Sequence, residues 1–336
     1  MNLIDLQKKY NTHLKCIRHL EKVRWGRNPK CPHCQSVSIT PRTGYKTPKY
    51  HCNGCNKDFT VLIGTIFEGS KMPLQKWFML IALMLNARKG ISSLQISRDL
   101  NITYKSAWYS AMRVRCAMLD EADMLEGIVE MDEVYIGGKP RKRNGKKPDE
   151  SEANLSSVST NKPKRGRGAD KIKVVGIVER SGKKRVVTQV HETLRSRDLL
   201  AMLKRYVKMD SAVVMTDDYK GYIHFEKVIE HHTINHSAKK YVDGEISTNT
   251  IEGFWSIIKN GIRGQYHVLS KKYLPFYLAE FSYKYNRRND KKNNFMETID
   301  NAVTDEKCAV NYKPKKDVRK LVHKPKRKPT SAKCVK

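Results

Sequence analysis

The chain has 336 residues, and 66 Lys+Arg against 34 Asp+Glu give a formal charge of +32. That excess is far beyond what solubility needs and points to a polyanionic partner, most often nucleic acid. The composition argues against a membrane protein and a secreted disulfide scaffold. The longest apolar run, WFMLIALML at 77–85, is too short to span a bilayer, and no long basic amphipathic helix with a Leu/Trp face stands out. Four of the 8 cysteines are clustered and four are scattered (Cys16, Cys116, Cys308, Cys334), which is not a secreted disulfide pattern. The N-terminus, MNLIDLQKKYNTHLKC, has no apolar core of a secretory signal, so a cytoplasmic location is expected.

In chain order, the first feature is CPHC (31–34) and CNGC (52–55), two CxxC knuckles around a turn-rich polar stretch. Each knuckle can point two thiolates at one ion, and Cys31, Cys34, Cys52 and Cys55 together complete a tetrahedral shell for structural Zn²⁺. His33 and His51 adjoin these ligands, but the shell is already filled. Next comes GSKMPLQKWFMLIALMLNARKG, a helix with Pro73 suited to its first turn and Gly90 just past its end. SSLQISRDL (92–100), a short NIT turn and TYKSAWYSAMRVRCAML (103–119) follow, with Ser92 or Ser93 and Thr103 as good N-caps. Two short helices so joined resemble a helix-turn-helix. Its second helix would offer Tyr104, Lys105, Tyr109 and Arg113 to DNA.

IVEMDEVYIGG (128–138) reads as a buried strand, yet it carries Glu130, Asp132 and Glu133. Buried carboxylates are costly without a partner. The stretch 139–171 is polar and basic and reads as a mobile insertion. KIKVVGIVER and KKRVVTQVHE form a hairpin, SRDLLAMLKRYVK a helix, and SAVVMTDDYKGY a strand ending in Asp217 and Asp218. HHTINHS offers another strand, and STNTIEGFWSIIKNG and YLPFYLAEFSYKYNRR two helices. This order matches a ribonuclease-H-like sheet, in which the first and fourth strands are neighbours and would bring Asp132 and Asp217 together. On the first of the two helices, Ile251, Phe254, Trp255 and Ile258 make an apolar stripe. Glu252 and Lys259 share a polar face, about 20° apart around the axis. Asn249 and Glu252 also have the spacing of a capping box, with Asn249 as N-cap.

The acids become tolerable if they hold divalent cations that act on a phosphodiester. Asp132 would bridge two ions, with Asp217 and Glu252 each holding one. Asp218, Glu130 and Glu133 are expected at the surface or behind the ligands. The matches WGRNPKCPHC, YHCNGCNKDFTVLIGTIFEGSKMPL, GISSLQISRDLNITYKSAW, VEMDEVYIGGK, VVGIVER, TDDYKGY, TINHSAKKYVDGEISTNTIEGFWSIIKNGIRGQYHVLSKKYL and YLAEFSYKYNRR run in order over roughly 18–290. Through them the chain resembles the bacterial insertion-sequence transposases of the zinc-ribbon, ISXO-like type related to eukaryotic Merlin elements.

The resemblance implies a DDE-type transposase using Mg²⁺ or Mn²⁺, with Asp132 and Asp217 as the first two catalytic acids. Glu252 or Asn249 would be the third, and Lys259 the basic residue that follows. We expect Glu252, because a third carboxylate offsets the charge of two divalent ions better than a neutral amide. The implied organisation is an N-terminal helix and zinc ribbon (1–70), a helix-turn-helix region (71–125), a ribonuclease-H-like α/β catalytic domain (126–292) and a basic tail (293–336). The expected partner is double-stranded DNA, both transposon ends and target. The expected assembly is a homodimer or larger on DNA, nucleoid-associated. A nuclease of the same fold and a catalytically inactive DNA-binding regulator are the alternatives.

Overall fold

A computed structural model describes residues 2–119, 123–137, 171–234, 242–243, 246–289 and 294–304. The basic insertion, apart from Lys171, and the tail beyond residue 304 lie outside these described residues. The chain begins with helices α1 (Leu3–Lys9) and α2 (His13–Trp25), N-capped by Asn2 and Thr12. A three-stranded antiparallel ribbon follows, β1 (Ile39–Arg42), β2 (Lys49–Cys52) and β3 (Lys57–Phe59). Then come α3 (Leu74–Asn86), α4 (Ser93–Asp99) and α5 (Tyr104–Ala117). Ser92 Oγ and Thr103 Oγ1 accept the backbone N–H groups of Gln95 and Ser106, so both expected caps form.

The second half is built on β4 (Leu125–Ile136), β5 (Ile172–Glu179), β6 (Val186–His191), β7 (Val207–Asp217) and β8 (Glu230–Ile234). Helix α6 (Ser196–Tyr206) carries the chain from β6 to β7, and the sheet order is β6-β5-β4-β7-β8. β4 and β5 pair antiparallel, as do β5 and β6, whereas β4–β7 and β7–β8 are parallel. This is the expected ribonuclease-H-like arrangement, with the first and fourth strands of the domain side by side. After a short ladder of β9 (Val242–Asp243) and β10 (Ile246–Ser247) come α7 (Asn249–Gly261), a single π-turn at 262–266, α8 (Leu274–Asn286) and α9 (Asn294–Thr304).

Each face of the sheet buries its own core. One is packed by α6, through Leu199, Met202, Leu203 and Tyr206, the other by α7 and α8, through Ile251, Trp255, Ile258 and Leu278. A separate core joins α1, α2, α3 and α5 to α9. Here the structure departs from the expected tail at 293–336. Phe295, Ile299, Ala302 and Val303 recur at helical spacing and are buried against the N-terminal helices, so the chain returns to the N-terminal region before the described residues end.

Candidate active site and zinc centre

The two CxxC knuckles have the same local geometry. Gln35 and Asn56, each just after the second cysteine of its pair, take left-handed φ values of 61° and 54°. Their N–H groups donate to the carbonyls of Cys31 and Cys52 at 2.9 and 2.8 Å. These turns bring the four thiols within 4.8 Å of one another. The Sγ separations are 3.6 Å for Cys31–Cys55 and 3.5 Å for Cys34–Cys52. A zinc–sulfur bond of about 2.3 Å implies a tetrahedral edge of about 3.8 Å, so the cage fits one zinc ion. His51 turns away to Asp58, Nδ1 to Oδ1 2.7 Å, and so stays out of the shell.

The acids converge at the far end of the large sheet. β4 and β7 run parallel with Glu130 opposite Met215, so two residues on, Asp132 comes beside Asp217. One carboxylate oxygen from each of Asp132, Glu133 and Asp217 lies within 4.8 Å of the others. Trp255 Nε1 donates to Asp132 Oδ2 at 3.0 Å, the Tyr222 hydroxyl to Glu133 Oε2 at 2.9 Å, and the Tyr219 N–H to Asp217 Oδ1 at 3.1 Å. Burial, and then the charge of Glu133, push the Asp132 carboxyl up to about 7, with Asp217 adding to the rise. A carboxyl whose affinity for a proton is raised by two neighbouring acids would be relieved by a cation. Glu133 was expected behind the ligands and instead belongs to the close group. Glu252 stands outside that group.

The position of Trp255 was foreshadowed by a glycine. Gly176 on β5 lies directly opposite Asp132. A Cβ there would meet the Trp255 ring at 2.7 Å. Only the bare backbone of Gly176 lets the indole lie across the sheet and reach the carboxylate, a use of glycine that interrupts an otherwise β-branched strand.

Glu130 has a different task from its neighbours. It is fully buried, and its Oε2 accepts the N–H of Ile251 at 2.8 Å while its Oε1 accepts Arg180 Nε at 2.9 Å. Arg180 also reaches the Ser247 carbonyl at 2.6 Å and the Ser247 hydroxyl at 2.8 Å. Glu130 thus satisfies a first-turn N–H of α7 from across the sheet, where a carboxylate also meets the positive end of the helix dipole. The expected Asn249 cap is not what forms. Thr248 occupies the cap position, Asn249 is the first helical residue, and the Thr248 hydroxyl donates to Glu252 Oε1 at 3.4 Å. Glu252 and Lys259 are both exposed on α7.

Residues 124–286 match the model of the ISXO2-like transposase domain, and residues 12–58 that of the transposase zinc-ribbon domain. The chain belongs to the ISXO2-like, zinc-ribbon DDE transposases. It is 27% identical over 280 residues to the uncharacterized protein in transposable element ISH50 of Halobacterium salinarum, covering 82% of this chain and 91% of that one. Among solved structures, it is similar to the Mos1 strand transfer complex at 11% identity, over 66% of this chain and 75% of that one, with a TM-score of 0.29. The Mos1 paired-end complex with the left transposon end aligns at 12% identity over 68% of this chain and 79% of that one, also with a TM-score of 0.29.

In this transposase the residues expected on the DNA-facing side of α5 separate along the helix. Tyr104 and Lys105, in its first turn, are exposed, and Tyr109 is half-buried. Arg113 is not on that surface. It is buried, donates from Nη2 to the Glu68 carbonyl at 2.8 Å, and packs over Trp77 and Tyr109. Beyond Tyr109 the helix is enclosed by its neighbours, so the polar stripe read from the sequence faces protein there. Sequence reading also passed over Arg115, which is buried against Glu280 of α8 at 2.8 Å. Among the described residues, no helix is long and apolar enough to cross a membrane.

Proposed function

We propose that this transposase recognises the terminal inverted repeats of its insertion sequence and cleaves at their ends. It would then join the freed 3′-hydroxyls to target DNA. The convergence of Asp132 and Asp217 at adjacent strand ends, beside the helix that carries Glu252 and Lys259, supports this reading most directly. Asp132, Asp217 and Glu252 would hold Mg²⁺ or Mn²⁺, with Asn249 the alternative third ligand and Glu133 close at hand. When bound, such ions supply water activation and neutralisation of charge at the scissile phosphate.

The chain's own residues provide the frame. Trp255 fixes one oxygen of Asp132, Tyr222 holds Glu133, and Glu130 anchors the first turn of α7. Glu252 therefore projects from a helix tied to the sheet. Lys259, two turns on, would touch a phosphate next to the scissile bond. In the first step a water oxygen bonds to phosphorus as the 3′-oxygen leaves and takes up a proton. In the second, that 3′-hydroxyl attacks a target phosphodiester and displaces its 3′-oxygen. The number of phosphodiester bonds is conserved in joining, and no covalent protein–DNA link is needed.

The zinc ribbon, with Zn²⁺ on Cys31, Cys34, Cys52 and Cys55, and the exposed start of α5 at Tyr104 and Lys105 would contact end DNA, with Tyr109 at the margin. Pairing two ends calls for two copies of the chain or more. A supercoiled donor plasmid, target DNA and Mg²⁺ or Mn²⁺ test the reading. Joined products are expected. Nicks alone would indicate a nuclease, and binding alone a regulator.

A further inference from the structure

Helices α3, α4 and α5 are not tethered loosely to the catalytic sheet. Each is fixed by a polar contact to the segment that follows α7. At the end of α3, Lys284 Nζ donates to the Ala87 carbonyl at 2.7 Å and to the Met84 carbonyl at 3.4 Å. At the start of α4, the Ser92 N–H donates to Gln265 Oε1 at 3.3 Å. In α5, Arg115 Nε donates to Glu280 Oε2 at 2.8 Å, with the two side chains only 1% and 0% exposed. The Arg115 guanidinium lies 4.0 Å over the Tyr277 ring, and Lys284 Nζ donates to the other Glu280 oxygen at 2.7 Å. The Tyr266 hydroxyl, on the π-turn directly after α7, closes the set at 3.2 Å from Glu280 Oε2 and 3.4 Å from Arg115 Nη2.

The surrounding backbones are in close contact as well. A Cβ on Gly90, after α3, would lie 2.1 Å from the Tyr266 hydroxyl oxygen. One on Gly261, the last residue of α7, would lie 2.5 Å from the Lys89 carbonyl oxygen. Two glycines, one on each side, allow this approach. Burying charges in such a junction is a poor route to stability, because well-packed apolar side chains often do as well or better. What charges with fixed hydrogen-bond directions add is a single relative placement of the helices.

We propose that Arg115, Glu280, Lys284 and Tyr266 form a positioning cluster that locks the DNA-reading helices to α7, so that a bound transposon end meets the acid site in one register. This rests on the reading of α5 as an end-binding helix. The cluster residues touch neither DNA nor the reacting atoms. They act by holding α5 and α7 at a fixed offset, and they set where along the DNA the cut falls.

The test uses the full chain, a duplex carrying the element's end and Mg²⁺, with nicks mapped at single-nucleotide resolution and end binding measured in parallel. The variant Arg115→Met/Glu280→Leu/Lys284→Met replaces the charges together with apolar groups. It should melt at or above the wild-type temperature and bind the end as wild type does. Its nicks should scatter over neighbouring positions, and cleavage at the wild-type position should fall about 10²-fold, the scale of a misplacement near 1 Å.

Wild-type cut position and rate would overturn the proposal. So would loss of end binding in a folded variant, because the cluster would then shape the reading helices themselves. If the triple variant does not fold, Tyr266→Phe removes one hydroxyl without changing volume and decides the matter. A broadened cut with normal end binding supports the proposal, and a wild-type cut overturns it. Tyr104→Ala/Lys105→Ala tests the underlying reading separately. Lost preference for end DNA supports α5 as the reader, and retained preference refutes that reading whatever the cut pattern of the cluster variants.

Discussion

Asp132→Asn isolates the electrostatics of the acid site. The substitution removes one charge at nearly constant volume and leaves an oxygen to accept Trp255 Nε1, which sits 3.0 Å away. Burial and neighbouring acids move the Asp132 carboxyl from its ordinary 3.8 to about 7. A rise of that size, at about 1.4 kcal/mol per tenfold change in proton affinity, corresponds to about 4 kcal/mol that the ionised group costs the cation-free fold. The folded protein holds this proton more tightly than the unfolded chain. It therefore carries more protons between about pH 4 and pH 7, and stability falls as pH rises through that window. The contribution of protonated Asp132 is complete below about 4 and lost above about 7.

Urea unfolding with EDTA present, at pH 5 and pH 8, should show a larger loss for wild type than for Asp132→Asn, by a few kcal/mol. Mg²⁺ should offset most of that difference. At a hundredfold excess over its Kd, a cation that binds only the folded state adds about 2.7 kcal/mol. The wild type should gain it and the variant should gain little. Parallel pH curves for the two proteins in EDTA, together with an equal response to Mg²⁺, would refute the reasoning.

Cys52→Ala should abolish zinc binding, a term worth roughly 10–16 kcal/mol in such modules. It should weaken end recognition while leaving the unfolding transition of the catalytic sheet in place, as followed by metal analysis and circular dichroism; a folded wild-type ribbon without zinc would contradict this. Glu130→Gln should cost about 3–5 kcal/mol in urea, because it leaves Arg180 without its buried counter-charge and weakens the anchor of α7, and unchanged stability would assign α7 another anchor. Glu252→Gln should abolish cleavage and joining with end binding and melting temperature preserved. Asn249→Ala should keep both chemistry and stability, the latter within about 0.5 kcal/mol, because Thr248 rather than Asn249 holds the cap position. A catalytically dead Asn249→Ala beside an active Glu252→Gln would reverse the assignment of the third ligand.

The features legible in the sequence are those that local chemistry fixes. Two CxxC knuckles need no distant partner to declare four thiols, and Ser92 and Thr103 cap helices whose first turns adjoin them. Hydrophobic spacing marked the strands and helices of the sheet domain, and their order alone implied that Asp132 and Asp217 would be neighbours. Features set by remote packing were hidden. Arg113 lies at a spacing that reads as a solvent face, but α3, α8 and α9 all pack against α5, leaving no solvent beside it. The apolar stripe of α9 begins just after a run of lysines and asparagines, and its burial depends largely on α2 and α3, more than two hundred residues earlier in the chain.

The acids of β4 show most clearly where sequence reading stops. Alternation along a strand places Glu130 and Asp132 on one face and Glu133 on the other, and that much could be read directly. It could not separate Glu130 from Asp132, since both face α7. They differ in what surrounds them. Glu130 meets the start of the helix, with the Ile251 N–H and Arg180, and its charge is fully answered by fixed donors. Asp132, two residues on, meets an indole N–H, the Glu133 backbone N–H and two more carboxylates, and its charge is left in excess. An acid answered by a fixed counter-charge serves as a brace, whereas an acid with only neutral donors and like charges beside it remains open to a cation. Most of the partners that distinguish the two, Arg180, Asp217 and the α7 residues Ile251 and Trp255, lie far along the chain from β4, so residue type and strand position could raise the question but not decide it.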